Sequence, residues 1–276
     1  MRSRLNIYKN MGWAVCIALC LLALFVGLIV AGFTRYDGEL ERGGVQLGAK
    51  KTQVQEAEVL PAAPTSGDGQ LRVLAESADG GQAYIDSLTF LCDSAVIGLR
   101  DYGLLSGGTA TTQVWGTSAG NVPASTLAGF TILYPGDGSE ISPAAAAMVT
   151  KPSRLVITLS SDSLADTNQE KFIADYTSLV EAIHSASPNT TIILCSLSGV
   201  TPSYNGVDGL NNIAIQSANE WIQQVCVNTG AYFADTASAV CDSSSGLMSE
   251  YASANGKTIN SAGLSKILEY LRGHVI

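Results

Sequence analysis

The chain predicts an α/β fold: a three-layer α/β/α sandwich on a parallel sheet of about five strands, preceded by one N-terminal transmembrane helix. Three observations predict it. Short apolar runs alternate with segments of helical period from residue 83 to residue 276, the pattern of strands joined by crossover helices. The strands are apolar throughout rather than alternating, as a parallel sheet covered on both faces requires. Residues 12–33 form an uncharged apolar stretch, and about 20 such residues cross a bilayer as a helix.

Arg2, Arg4 and Lys9 precede that stretch, so residues 1–11 are expected in the cytoplasm, 12–33 in the membrane and the remainder outside the cell. A cleaved signal peptide is the competing reading. Its apolar region is usually about 7–15 residues with an Ala-x-Ala-like exit. Here the stretch is longer and Val30-Ala31-Gly32 is a poor exit, which favours an uncleaved anchor. Residues 34–82 are polar, hold Pro61 and Pro64 and lack a sustained period, so they read as a stalk. Residues 83–276 are the extracellular domain.

Within that domain, strands are expected at 87–91, 112–115, 154–159, 190–194 and 231–234. Helices are expected at 96–105 and 144–149. Phe172, Tyr176, Leu179, Val180 and Ile183 repeat at helical spacing, as do Ile215, Ala218, Ile222 and Val225, then Leu264, Ile267, Leu268 and Leu271. Pro152 and Pro188 close two of these segments, and Gly230 follows a third. The 46% hydrophobic composition supplies a large core. A net charge of −9 argues against nucleic acid, whose phosphates demand clustered cations.

Of the six cysteines, Cys16 and Cys20 fall in the apolar stretch. Cys92, Cys195, Cys226 and Cys241 fall in the exported part, where disulfides are permitted. Cys226 and Cys241 flank one strand and either pair or stay buried thiols. No Cys-x-x-Cys pair or His-rich cluster suggests zinc, and no cofactor is implied.

Ligand sites in open α/β sheets lie at the carboxyl ends of the strands. The loops following Leu91, Trp115, Leu159, Leu194 and Ala234 carry Ser94, Gly116, Asp162, Ser196 and Asp235. Ser94 has two compatible readings, a nucleophile or the cap of the next helix. Trp115 and Trp221 read as packing residues rather than sugar platforms. Tyr204 and Asn205, in a loop with Pro202 and Gly206, either line a pocket or form a turn.

The run Phe90-Leu91-Cys92-Asp93-Ser94 resembles the Gly-Asp-Ser block of the SGNH, or GDSL, hydrolases, with Cys in place of Gly. The sequel Ile259-Asn260-Ser261-Ala262-Gly263 resembles that family's Leu-Asn-x-x-Gly. The resemblance covers residues 83–274, in effect the whole exported domain. It implies an esterase or acyl-hydrolase fold in a bacterial cell-surface setting, and Ser94 as nucleophile. Gly116, with Gly120 as the alternative, takes the oxyanion glycine position. Asp162 stands where the oxyanion Asn belongs, Asn255 where the orienting Asp belongs, and Thr258 where the base His belongs. A carboxylate repels a developing oxyanion, and a serine hydroxyl needs a base.

Only two histidines exist. His184 ends a helix on the opposite edge of the sheet, and His274 lies most of a helix, about 20 Å, beyond Asn260. Lys257 is expected to point away from the nucleophile. These losses together predict a catalytically degenerate, membrane-anchored domain that binds a cell-wall glycan or another ester-bearing ligand. The alternatives are an active esterase using Ser94 with other partners, and a structural envelope protein.

Overall fold

The structure is a computed structural model that describes residues 69–276 apart from 118–121, 123–125, 128 and 166. The expected cytoplasmic segment, the membrane span at 12–33 and most of the stalk lie outside the described residues. Among the described residues, no helix is long and apolar enough to cross a membrane.

One mixed sheet organises the domain. Its strands are β1 (Arg72–Val73), β2 (Leu88–Cys92), β3 (Val114–Gly116), β4 (Ile132–Leu133), β5 (Glu140–Ile141), β6 (Arg154–Thr158), β7 (Thr191–Cys195) and β8 (Tyr232–Ala234). They lie in the order β1-β8-β7-β6-β2-β3-β4-β5. The five expected strands are the parallel centre, β8-β7-β6-β2-β3. Three short strands correct the expectation of a five-stranded parallel sheet. β1 pairs in parallel with β8 and comes from the stretch read as stalk. β4 and β5 add an antiparallel ribbon beyond β3. Each of the three is two residues long, too short to show a hydrophobic period.

The helices are α1 (Gly81–Asp86), α2 (Gly98–Asp101), α3 (Pro143–Thr150), α4 (Gln169–Ala186), α5 (Asn212–Thr229) and α6 (Ser261–Arg272). Their starts are written in the sequence. Ser142, Asn168, Asn211 and Asn260 each accept, through the side chain, a backbone N–H three residues on. Gly230, at φ +74°, ends α5 in the left-handed conformation that glycine adopts at little cost. The helix expected over 96–105 shrinks to the single turn of α2, with Gly103 at φ +64° just past it.

α3, α4 and α5 cover one face of the sheet. Ala146, Phe172, Tyr176, Ile183 and Ile222 pack there against Leu155, Ile157 and Leu194. α1, α2 and α6 cover the other, where Ile85, Leu99, Leu264 and Leu271 pack against Phe90, Val156 and Ile193. The three-layer expectation therefore holds. Trp115 is 1% exposed, and Trp221 packs beside Phe172 at a ring separation of 5.7 Å, so both serve the core.

Cys226 lies in the first of these clusters and Cys241 borders the second. Both are free thiols, as is Cys195, so the Cys226–Cys241 pairing is not formed. Burial pushes the Cys195 thiol up to about 12, so it stays a protonated, inert core residue.

Candidate active site at the carboxyl edge

The centre of the sheet sets the level of the site. Cys92 stands opposite Gly116 on one side and Thr158 on the other, so three strands release their loops together. The chain after β2 is fixed first by Asp93, which is 3% exposed. Its Oδ1 accepts the N–H of Ala95 at 2.9 Å. Its Oδ2 accepts the N–H and the hydroxyl of Ser160 and the hydroxyl of Ser163, each at 2.9 Å. One carboxylate thus ties the loop after β2 to the loop after β6. Burial pushes its pKa up against these four hydrogen bonds, which pull it down, and the net direction is upward.

This clamp places Ser94 in a cleft shared with Asp162, Lys257 and Thr258, with Ser160, Ser161 and Ser198 on its walls. The cleft holds about 30 Å³, room for a water or two. Asp162 enters from the 3₁₀ turn Ser161–Leu164. Lys257 enters from the loop before α6, and its Nζ donates to both carboxylate oxygens of Asp162, at 2.7 and 2.8 Å. Both side chains are about a quarter exposed. Lys257 therefore does not point away from Ser94. It turns into the cleft, a correction to the sequence reading. Burial alone would lower its pKa, but the hydrogen bond and charge of Asp162 outweigh that and raise it. A lysine held in its protonated form is a poor general base.

The loop carrying Lys257 is held by its own groups. Asn255 Oδ1 accepts the N–H of Lys257 at 3.0 Å and that of Thr258 at 2.9 Å. Its Nδ2 donates to Thr258 Oγ1 at 2.9 Å. Gly256, at φ +71°, is pressed against the neighbouring loop, where a Cβ would meet Thr201 Oγ1 at 2.5 Å. Thr201 N–H donates to the Gly256 carbonyl at 2.9 Å. The Tyr204 ring lies 5.8 Å from the Lys257 ammonium, so this loop does reach the site. Asn205 instead makes a turn contact, accepting the N–H of Asn212 at 3.0 Å.

Of the residues singled out from sequence, Ser94, Asp162 and Thr258 meet in the cleft. Asn255 touches it through Thr258. Gly116 is buried at the end of β3, level with Cys92, and is not on the cleft wall; Gly120 lies outside the described residues. Ser196 and Asp235 bond each other at 3.0 Å and lock the ends of β7 and β8.

Neither histidine is among the residues that line the cleft. His184 sits in the last turn of α4, which leads to the start of β7. His274 stacks on Tyr270, two residues from Ile276. The Ile276 carbonyl accepts Arg154 Nε at the opening of β6, about 13 Å along that strand from its Thr158 end.

A family profile, the GDSL-like Lipase/Acylhydrolase family, matches residues 115–263. The chain belongs to this family. The GDSL-like match begins at β3 and ends at the start of α6, so it holds Asp162, Asn255 and Thr258 but leaves Ser94 upstream. Among curated proteins no significant match was found.

Solved structures with similar folds include one described as an acylhydrolase from Bacteroides fragilis NCTC 9343. It is 14% identical at a TM-score of 0.49, covering 71% of this chain and 88% of that one. One described as a lipolytic protein of the G-D-S-L family from Desulfitobacterium hafniense DCB-2 is 16% identical at a TM-score of 0.48, covering 68% and 98%. A carbohydrate esterase family 3 structure from Talaromyces cellulolyticus is 18% identical at a TM-score of 0.41, covering 66% and 92%.

Two features of the site escaped sequence reasoning. The Asp93 clamp was invisible because burial of a single Asp leaves no periodic mark. The Asp162–Lys257 pair had a signal, opposite charges on two loops already assigned to one edge.

Proposed function

We propose that this GDSL-like domain is catalytically silent and acts as a ligand-binding module, carried outside the cell on an N-terminal membrane anchor at residues 12–33. The observation that carries the reading is the Lys257–Asp162 ion pair in the cleft of Ser94. Family resemblance asks there for an imidazole base and an amide donor. The chain offers a protonated ammonium and a carboxylate, which cancel each other. No histidine is among the residues that line the cleft, so the imidazole that the family resemblance asks for is not beside Ser94 to act as its base. Loss of one triad member costs about four orders of magnitude in serine hydrolases. Glycans of the cell wall, or other ester-bearing surface polymers, are the ligand class that the family resemblance suggests.

The full-length chain assayed with short-chain aryl esters tests this. The expected result is turnover no faster than that of Ser94→Ala. Turnover removed by Ser94→Ala would instead establish an esterase with rearranged partners.

A further inference from the structure

Lys257 and Asp162 come from loops 95 residues apart and close against each other above Ser94. The backbone that presents Lys257 is fixed by Asn255 from within and by Thr201 from behind. What can move is the four-carbon stem of the lysine. A neutral ester entering the cleft must part the pair, so that two charges, each about a quarter exposed, lose the contact they make with each other. A ligand that brings a carboxylate to Lys257, or an ammonium to Asp162, replaces what it displaces and avoids that cost. The walls add the hydroxyls of Ser160, Ser161 and Ser198, which donate or accept as required.

We propose that the Lys257–Asp162 pair is a latch across the cleft, which admits ligands bearing a charge able to replace one partner and keeps neutral esters out. It rests on the same cleft as the reading above and deepens it by naming the ligand class, charged rather than neutral.

The test uses the full-length chain carrying Ser94→Cys as a reporter. Three methanethiosulfonate reagents are compared: neutral methyl, anionic sulfonatoethyl and cationic trimethylammonioethyl. The wild-type chain supplies the background from native cysteines. Adding Asp162→Asn leaves the ammonium unpaired and is expected to speed the anionic reagent about tenfold or more relative to the cationic one. Adding Lys257→Met keeps the stem, takes the ammonium away from the carboxylate and is expected to do the reverse. Unchanged rates in both variants, with melting temperatures matching the parent, would overturn the latch. So would an equal acceleration of all three reagents, which marks a steric plug. Should one variant fail to fold, the other still decides. Labelling needs no turnover, so failure of the latch and discovery of hydrolysis are separate results.

Discussion

Two corners of the carboxyl edge that border one cleft and lie far apart in sequence are built on different terms. At the corner of β2 and β6, Asp93 is buried and accepts four hydrogen bonds that join two loops. At the loop before α6, Asn255 and Thr258 are exposed and satisfy each other. The first corner keeps the Asp-Ser of the family resemblance. The second carries other residues where Asp and His are expected. The difference teaches that a scaffold which also holds the fold together resists change, because removing a buried acceptor strands several donors. An exposed base and its orienting carboxylate contribute little to stability and can be replaced at small cost.

The largest effect that sharpens this contrast is a gain. Thr258→His with Asn255→Asp is expected to give no esterase activity while the Asp162–Lys257 pair stands. Adding Asp162→Asn is expected to raise aryl-ester turnover about a hundredfold over the same triple variant carrying Ser94→Ala. Equal rates in those two proteins would show that the residues of the exposed corner do not account for the proposed loss of activity.

Next is Asp93→Ala. It deprives the Ala95 and Ser160 amides and two serine hydroxyls of their acceptor, and is expected to cost about 3 kcal/mol or more in urea unfolding. A loss below about 1 kcal/mol would break the comparison. The same carboxyl gives a pH test. Its pKa is raised in the folded state, so the native chain holds a proton that the unfolded chain has released. Its contribution to stability is therefore complete below the ordinary Asp value and fades as pH rises through the raised value. Wild type should lose stability over that window relative to Asp93→Asn. A parallel pair of pH curves would contradict the shift.

Smaller effects follow at the second corner. Gly256→Ala puts a Cβ 2.5 Å from Thr201 Oγ1 at φ +71°, and is expected to cost about 1–3 kcal/mol. Asn255→Ala removes only an exposed turn and is expected to cost less than about 1 kcal/mol by the same measurement.

The central fold was legible because strands buried on both faces and helices with one apolar stripe leave marks in residue type and spacing. Val156, Ile157 and Ile193 announced their strands, and the spacing that includes Phe172, Ile222 and Leu264 announced the helices. Two-residue strands such as Arg72–Val73 leave none, and their pairing is decided by the strand beside them. At the site, Ser94 and Asp162 were placed by which strand each follows, and Thr258 by the resemblance of its block to the family's. The direction of the Lys257 side chain was not, because a loop residue's rotamer answers to a partner far along the chain, here Asp162.

Treating the full-length chain with a fluorophosphonate probe asks most directly whether Ser94 is activated, since such probes phosphonylate serines whose proton is drawn off by a base, whatever the natural ligand. The expected result is no labelling at Ser94 beyond that of the heat-denatured chain. Rapid stoichiometric labelling, lost in Ser94→Ala, would contradict the proposal that Ser94 is not activated.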